Sequence, residues 1–291
     1  MIKIKVPATT ANIGPGFDSL GLAFKLYSYF SFEEIEEGLE IFGCEEEYRN
    51  KENLVYTSFK KTLDKLEVFV KGVRIKIESN IPVSRGLGSS AACIIGGVMG
   101  ANEICGGKLS KMEIFNICNE IEGHPDNISP AIFGGLTASL VHDNVPYFTK
   151  YNINENFSFC AMIPGFRLST EEARKVLPNI VLYNQATHNI SRTAVLLKSL
   201  EDGNKDLIKI ALEDKIHEPY RKNLIDEYKE VRDICERNQV IGFFISGAGP
   251  TLMGIVDGNL NKENLEKEIS NLKNHWAIQK LDVDLQGALV L

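Results

Sequence analysis

The sequence predicts an α+β protein with two domains. At 291 residues the chain is longer than most single domains. Helical and strand periods alternate in its second half, in an order typical of helices layered on an antiparallel sheet. We find no internal repeat, low-complexity tract or Pro/Ser-rich linker, so the two halves should pack directly against each other. A boundary near residues 150–165 divides the chain into an N-terminal domain at 1–155 and a C-terminal domain at 156–291.

The elements of the first half follow from periodicity. Residues 1–6 alternate apolar and polar side chains as a strand does, and 22–32 interleave aromatic and aliphatic residues with polar ones. Apolar residues recur at helical spacing over 52–66. The remaining predicted elements are a strand at 73–78, a helix that runs from a glycine-rich loop to residue 105, a helix at 110–122, a turn at 124–127, and strands at 134–141 and 157–164.

The second half is predicted to carry four helices and three strands. Its helical segments show apolar residues every three or four positions, and its strands are short apolar runs bounded by glycine, proline or asparagine. The predicted helices are 191–200, 205–215, 223–238 and 262–274, and the predicted strands are 240–246, 251–256 and 276–283.

The composition is typical of a globular protein, with 44% hydrophobic and 24% charged residues. A net charge of −7 disfavours a nucleic-acid partner. The longest apolar run, 91–101, is much shorter than the roughly 20 residues of a membrane span, and the N-terminus lacks the pattern of a secretory signal. Six scattered cysteines show no metal-binding spacing and are interpreted as reduced thiols. These features predict a soluble, cytoplasmic protein.

The loop PVSRGLGSSAA at 82–92 is the strongest single motif. Its glycines allow a ligand to approach the backbone, and the residues after them begin a helix. Free N–H groups and the helix dipole at such a start bind phosphate, while Ser89 and Ser90 offer hydroxyls to phosphate or Mg²⁺. The alternative is that one of these serines only caps a core helix. The loop has neither the GxxxxGK[ST] lysine nor GxGxxG spacing.

Two further segments accompany this loop. PATTANIGPGFDSLGLAF, at 7–24, is the first motif along the chain. The loop at 82–92 is the second, and ISGAGPT, at 245–251, is the third. The third motif alone would be interpreted as a tight hairpin. Together, and in this order, the three motifs resemble those of the GHMP kinases, a family named after galactokinase, homoserine kinase, mevalonate kinase and phosphomevalonate kinase. The first motif has the form found in the homoserine kinase branch, and Ala248 replaces a small hydroxyl residue that is usual in the third.

The resemblance implies a two-domain GHMP kinase fold, with an N-terminal domain like domain 2 of ribosomal protein S5 and a ferredoxin-like C-terminal domain. It implies ATP and Mg²⁺ as cofactors, an active site between the domains, and a homodimer. In the homoserine kinase branch the reaction converts L-homoserine to O-phospho-L-homoserine on the path to threonine. The nucleotide-binding residues implied by the second motif are Pro82, Val83, Ser84, Arg85, Gly86, Leu87, Gly88, Ser89, Ser90, Ala91 and Ala92.

Charge explains which side chains such a substrate needs. Homoserine carries a carboxylate, which calls for a cation, and an ammonium group, which calls for an anion. Asp18 suits an amino acid better than mevalonate, which has no ammonium group. Without the resemblance, Arg174 and Arg221 would be interpreted as solvated helix residues. Asp18 would be interpreted as a turn residue that hydrogen-bonds its own backbone. The substrate residues implied by the resemblance are Asn12, Asp18, His124, Asp126, Asn127, Arg174, Arg221 and Gly247.

The resemblance also implies catalytic and metal-binding residues. Thr170 and Arg174 match a stretch that places them near the transferred phosphoryl group and the substrate carboxylate, and Asp126 is either a general base or a substrate ligand. Ser90 and Glu122 are the expected Mg²⁺ ligands, with Glu120 as the alternative to Glu122. The HPDN segment disfavours the rival interpretations, kinases of mevalonate or of a diphosphocytidyl-erythritol, since the mevalonate branch has HGxPSGxD there. A sensor that has lost turnover is the remaining alternative.

Overall fold

The computed structural model describes residues 1–258 and 260–291, which form two β-sheets with helices packed on them. Within that part of the chain, the larger sheet has seven strands in the order β11-β1-β2-β4-β3, and β5 pairs with both β2 and β6. Only the β3–β4 pair is parallel among them. The strands are β1 (Ile2–Ala11), β2 (Leu20–Ile35), β3 (Gly38–Phe42), β4 (Gly72–Ser79), β5 (Leu136–His142), β6 (Val145–Tyr151) and β11 (Leu289–Val290).

Four helices cover one face of this sheet: α1 (Leu54–Lys65), α2 (Ser89–Ile104), α3 (Lys111–Glu122) and α4 (Pro125–Phe133). The central helix, α2, is rich in small residues because its neighbours approach closely. A Cβ on Gly96 would lie 2.4 Å from the Phe30 ring, and one on Gly97 would lie 2.3 Å from the Val55 carbonyl oxygen. The small residues therefore seat α2 deep in the core, which fixes the position of its N-terminus.

The smaller sheet is antiparallel, with the order β10-β7-β9-β8. Its strands are β7 (Phe157–Pro164), β8 (Gly242–Ile245), β9 (Leu252–Asp257) and β10 (Trp276–Leu281). The accompanying helices are α5 (Thr170–Lys175), α6 (Tyr183–Asp202), α7 (Lys205–Ala211), α8 (Glu218–Arg221), α9 (Tyr228–Arg237) and α10 (Lys262–Ile269). No described helix has the length and apolar character needed to cross a membrane.

The two sheets share a hydrophobic core. The rings of Phe24 on β2 and Phe159 on β7 lie 5.3 Å apart, and both are fully buried. After β10 the chain returns to the larger sheet, where β11 pairs with β1. The chain passes from the larger sheet to the smaller one between β6 and β7, and only β11 lies in the larger sheet after that point among the described residues. The division into domains at 1–155 and 156–291 stays a prediction.

The α+β class is confirmed, and the differences from expectation concern individual elements. The segment predicted as a turn at 124–127 opens α4, because Pro125 occupies the first helical position, where its fixed φ suits a helix. Helix α6 begins at Tyr183 rather than 191. Its first turns expose Tyr183 and Ile190, so they carry no amphipathic pattern. Strands β3, β6 and β11 and the short α5 were not expected from periodicity.

Candidate functional site

A cavity of about 150 Å³ lies where the three glycine-rich segments meet. It is lined by the N-terminus of α2, the end of α3, the start of α4, the start of α5 and the loop between β8 and β9. Helices and loops from both halves of the chain therefore form one site. The lining residues include most of the sequence-predicted ones: Asn12, Asp18, Ser84, Gly86, Gly88, Ser89, Ser90, Ala91, Glu122, His124, Asp126, Asn127, Thr170, Arg174, Arg221 and Gly247.

The second and third motifs are in direct contact. Ser246 donates a hydrogen bond from Oγ to the Gly86 carbonyl oxygen at 2.6 Å, and its Oγ lies 2.7 Å from the Thr10 hydroxyl of the first motif. Gly86 has φ +74°, and a Cβ there would lie 2.3 Å from the Ser246 carbonyl oxygen. Only glycine fits this position, because both its φ and its surroundings exclude a side chain.

The helix α2 presents an open N-terminus to the cavity. Its N-cap residue is Gly88, at φ +72°, which supplies no side-chain cap. Neither Ser89 nor Ser90 is the N-cap, so the structure does not support the alternative in which a serine merely caps the helix. The first N–H groups and the positive end of the dipole of this 16-residue helix are thus available to an anion.

Five residues of the predicted nucleotide loop do not line the cavity. Arg85 turns away and donates to the carbonyl oxygens of Pro164 at 3.0 Å and Gly165 at 2.7 Å, so it ties the loop to the end of β7. Leu87 and Ala92 are buried in the core. The others are Pro82 and the exposed Val83.

Two of the expected metal ligands are adjacent. Ser90 Oγ donates to Glu122 Oε2 at 3.0 Å, and burial raises the pKa of Glu122 although this hydrogen bond opposes the rise. Glu120 forms an exposed ion pair with Lys65 at 2.5 Å and does not line the cavity. A half-buried carboxylate beside a hydroxyl is the hard-oxygen pair that suits Mg²⁺, so the residues at Ser90 and Glu122 fit the ion and Glu120 does not.

Opposite charges meet at the other end of the cavity. Arg174 on α5 donates to both carboxylate oxygens of Asp18, at 2.9 and 3.3 Å. The Nε of Arg174 is buried and has no hydrogen-bond partner among the described residues. Asn12 supports Asp18, since Asn12 Oδ1 accepts from the Asp18 backbone N–H at 2.9 Å and Asn12 Nδ2 donates to the Gly247 carbonyl oxygen at 2.8 Å.

Arg221 lies behind this pair and is only 2% exposed. Its Nε donates to the Ala173 carbonyl oxygen at 3.1 Å and its Nη1 to the Gly247 carbonyl oxygen at 3.0 Å, while Nη2 bonds no described residue. Burial, followed by the nearby Arg174, lowers the pKa of Arg221 to about 10. Arg221 therefore bonds two backbone segments of the site, and its Nη2 is left open to a hydrogen-bond acceptor.

The start of α4 completes the site. Asp126 is 5% exposed and its pKa is raised to about 7, first by burial and then by Asp18. Asn127 Oδ1 accepts from the Thr9 hydroxyl at 2.7 Å. His124 is the N-cap residue of α4, and burial lowers its pKa. Thr170, the first residue of α5, is exposed at the cavity mouth.

Sequence reasoning missed several residues of the site. The ring of Phe17 lies under both guanidinium groups, 5.8 Å from Arg174 Cζ and 5.2 Å from Arg221 Cζ. An aromatic residue next to Asp18 in the first motif was the only signal for this contact. Leu168 and Gly249 also line the cavity. Gly249 lies in the third motif, whereas Leu168 carries no chemical signature in the sequence.

Comparison with known proteins identifies the family of the chain. The family model described as GHMP kinases N terminal domain matches residues 53–135, and the one described as GHMP kinases C terminal matches 196–278. A homoserine kinase of Clostridium botulinum (strain ATCC 19397 / Type A) is 46% identical over 293 residues, covering 100% of this chain and 98% of that protein.

Solved structures give the same result. The crystal structure of homoserine kinase from Cytophaga hutchinsonii ATCC 33406 superposes with a TM-score of 0.86 at 25% identity, covering 100% of this chain and 97% of the other. The Methanococcus jannaschii mevalonate kinase has a TM-score of 0.73 at 21% identity over 97% and 98% of the two chains, which shows the shared fold alone. The full-length match at 46% identity and the two domain matches show that the chain belongs to the homoserine kinases of the GHMP kinase family.

Proposed function

We propose that the protein transfers the γ-phosphoryl group of ATP to the hydroxyl of L-homoserine, giving ADP and O-phospho-L-homoserine for threonine synthesis. One observation carries the proposal. A single cavity combines an open helix N-terminus, which suits phosphate, with a carboxylate and two guanidinium groups, which suit an amino-acid zwitterion. Family membership supports the same reaction.

The nucleotide would lie against the loop at 84–91. The N–H groups at the start of α2 would bind its phosphates, because Gly88 leaves them without a side-chain cap. Ser90 and Glu122 would hold Mg²⁺, which supplies neutralisation of the phosphate charge when bound. The hydrogen bonds from Ser246 and Arg85 keep the loop backbone in place against the second half of the chain.

The amino acid would separate Asp18 from Arg174. Its ammonium group would bind the Asp18 carboxylate and its carboxylate would bind Arg174, whose buried Nε needs an acceptor, together with Nη2 of Arg221. The Asp18–Arg174 pair would be replaced by two pairs with the substrate, so both half-buried charges would stay partnered. Asn12 would hold the Asp18 turn throughout.

The hydroxyl end of the substrate would then point to Asp126. The hydroxyl oxygen bonds to the γ-phosphorus, the bond from that phosphorus to the β–γ bridging oxygen breaks, and ADP leaves. Asp126, with a pKa near 7, is suited to accept the hydroxyl proton. His124, Asn127 and Thr170 would orient the reacting groups from the cavity wall. Positioning and charge neutralisation account for most of the catalysis in this scheme.

We propose in addition that the enzyme acts in the cytoplasm as a homodimer without nucleic-acid or membrane partners. The net charge of −7 and the six unpaired thiols support this setting.

The test of the reaction is coupled ADP release by the purified protein with Mg-ATP and a panel of alcohols: L-homoserine, mevalonate, galactose and diphosphocytidyl-methylerythritol. Turnover on homoserine alone is expected. Turnover on another alcohol with none on homoserine would overturn the assignment of the zwitterion site.

A further inference from the structure

A buried polar network lies directly behind the cavity, centred on His217. This side chain is completely buried and precedes α8, and it does not line the cavity itself. Its Nε2 lies 2.9 Å from the Gly14 carbonyl oxygen, and its Nδ1 lies 3.5 Å from Arg221 Nη1. The Gly14 carbonyl accepts, so Nε2 carries a hydrogen, and the Arg221 guanidinium donates, so Nδ1 carries none; together the two contacts define the neutral ring with its hydrogen on Nε2.

The first contact reaches a strained turn. Asn12, Ile13 and Gly14 have φ values of +70°, +47° and +67°. A β-branched residue such as Ile13 rarely adopts this left-handed conformation, so the surrounding structure must hold the turn in place. The turn leads to Asp18, itself at φ +53°. The hydrogen bond from His217 to Gly14 is one of the restraints on the segment that carries Asn12 and Asp18.

The second contact reaches the arginines. The ring of His217 stacks on Phe17, with centroids 5.2 Å apart and planes at 26°, and Phe17 also contacts both guanidinium groups. His217 is thus joined to Arg221 directly and to Arg174 through one aromatic ring.

Asp214 fixes the backbone of His217. Its carboxylate accepts from the N–H groups of Ile216 at 3.2 Å, His217 at 2.8 Å and Glu218 at 2.7 Å, and from Asn189 Nδ2 at 2.6 Å. Asp214 Oδ2 also lies 3.8 Å from His217 Nε2. The imidazole consequently has little freedom to reorient within the network.

We propose that His217 is a positioning residue for the amino-acid substrate, which fixes the Asp18 turn and the Arg221 guanidinium without touching the ligand. The inference rests on the proposed function and deepens it. His217 itself forms no hydrogen bond with the described residues of the nucleotide loop at 84–91, so its effect should fall mainly on the amino acid.

Two substitutions separate the two contacts. In His217→Gln the amide nitrogen reaches the Nε2 position and keeps the bond to Gly14, whereas His217→Asn keeps only an acceptor near Arg221. Because the Gly14 bond is the shorter, we expect KM for homoserine to rise about tenfold in His217→Asn and about threefold or less in His217→Gln. KM for ATP and the affinity for a fluorescent ATP analogue should change less than about twofold. His142→Gln, at an exposed histidine, is the matched control.

The proposal is overturned if KM for homoserine is unchanged in His217→Asn, or if KM for ATP rises equally. A measurement on the wild-type protein tests the proposal even if the variants fold poorly. Long-range ¹⁵N–¹H spectra of histidine-labelled protein at pH 7 should show His217 neutral with its proton on Nε2, and a charged ring or a proton on Nδ1 would contradict the network. Absence of wild-type turnover on homoserine would instead refute the proposed function, whatever the spectra show.

Discussion

Asp18 and Arg174 form the ion pair at the centre of the proposed amino-acid site. Each is about one-third exposed, and each is the other's hydrogen-bonding partner across the two halves of the chain. The motifs predicted that both residues lie at the amino-acid end of the site, and the structure brings them together. Their mutual pairing could not be predicted, because it depends on how α5 is placed against the first motif.

Arg174→Ala should raise KM for homoserine about 10- to 100-fold, since it removes a charge-assisted bond of about 1.5–3 kcal/mol. KM for ATP should change less than about twofold. Steady-state kinetics with each substrate varied in turn measures both values. Lys175→Ala removes an exposed neighbouring cation that pairs with Glu171 and is the control. Equal rises for the two substrates would show that Arg174 does not bind the amino acid selectively.

Asp126 gives a prediction for stability. Its pKa is about 7 in the folded protein, against about 3.9 when unfolded, so the folded state binds the extra proton between these values. Stability from this group is therefore present at low pH and lost as pH rises through 7. Asp126→Asn does not titrate. The free energy of unfolding of the variant minus that of the wild type should therefore be about 2 kcal/mol larger at pH 8 than at pH 5.

Urea unfolding of both proteins at the two pH values tests this expectation. Asp143→Asn, at an exposed carboxylate, should show no such difference. A gap between wild type and Asp126→Asn that is the same at pH 5 and pH 8 would mean that Asp126 is not the buried titrating group.

At the scale of elements, periodicity predicted the regular segments and motif chemistry predicted the loops. Helix α3 was predicted within a residue of its bounds, and in the structure Ser110 and Glu113 form a capping box at its start. The strand pair β5–β6 was only half predicted, since β6 exposes most of its side chains and has no clear alternation. The short β11 depends on a long-range pairing with β1 that local sequence does not encode.

The contact between the glycine-rich loops makes a prediction at the same scale. Gly86→Ala would place a methyl group 2.3 Å from the Ser246 carbonyl oxygen and so force the nucleotide loop and the β8–β9 loop apart. We expect KM for ATP to rise about tenfold or more, together with a loss of stability.

Gly106→Ala is the matched control, because Gly106 has a similar φ of +84° but no described atom beyond its chain neighbours lies within 4 Å of the point that its Cβ would occupy. Gly106→Ala should lower the free energy of unfolding by about 1–2 kcal/mol, from backbone strain alone, and leave KM for ATP unchanged. Steady-state kinetics and urea unfolding of the two variants compare the effects. Similar kinetics in both variants would show that loop contact does not control nucleotide binding.

The two sheets of the molecule share a hydrophobic core, as the contact of Phe24 with Phe159 shows, and a second hydrophobic cluster lies within the second half of the chain. The sequence indicated close packing of the halves only through the lack of a linker.

The return of the last residues to the larger sheet was not predicted. Asp284 anchors this return: it is 2% exposed, and its carboxylate accepts from Tyr27 Oη at 2.8 Å and from the Gln286 and Gly287 N–H groups at 2.9 and 2.6 Å.

Asp284→Ala should therefore destabilise the entire protein. It leaves the Tyr27 hydroxyl and two backbone N–H groups without their acceptor, and we expect a loss of about 2–4 kcal/mol. Calorimetry should still show one transition, at a lower Tm, because the shared core unfolds as a unit. Asp282→Ala, at the exposed carboxylate two residues earlier, should leave Tm nearly unchanged. Two separate transitions in Asp284→Ala would show that the C-terminal return, rather than the shared core, couples the two halves.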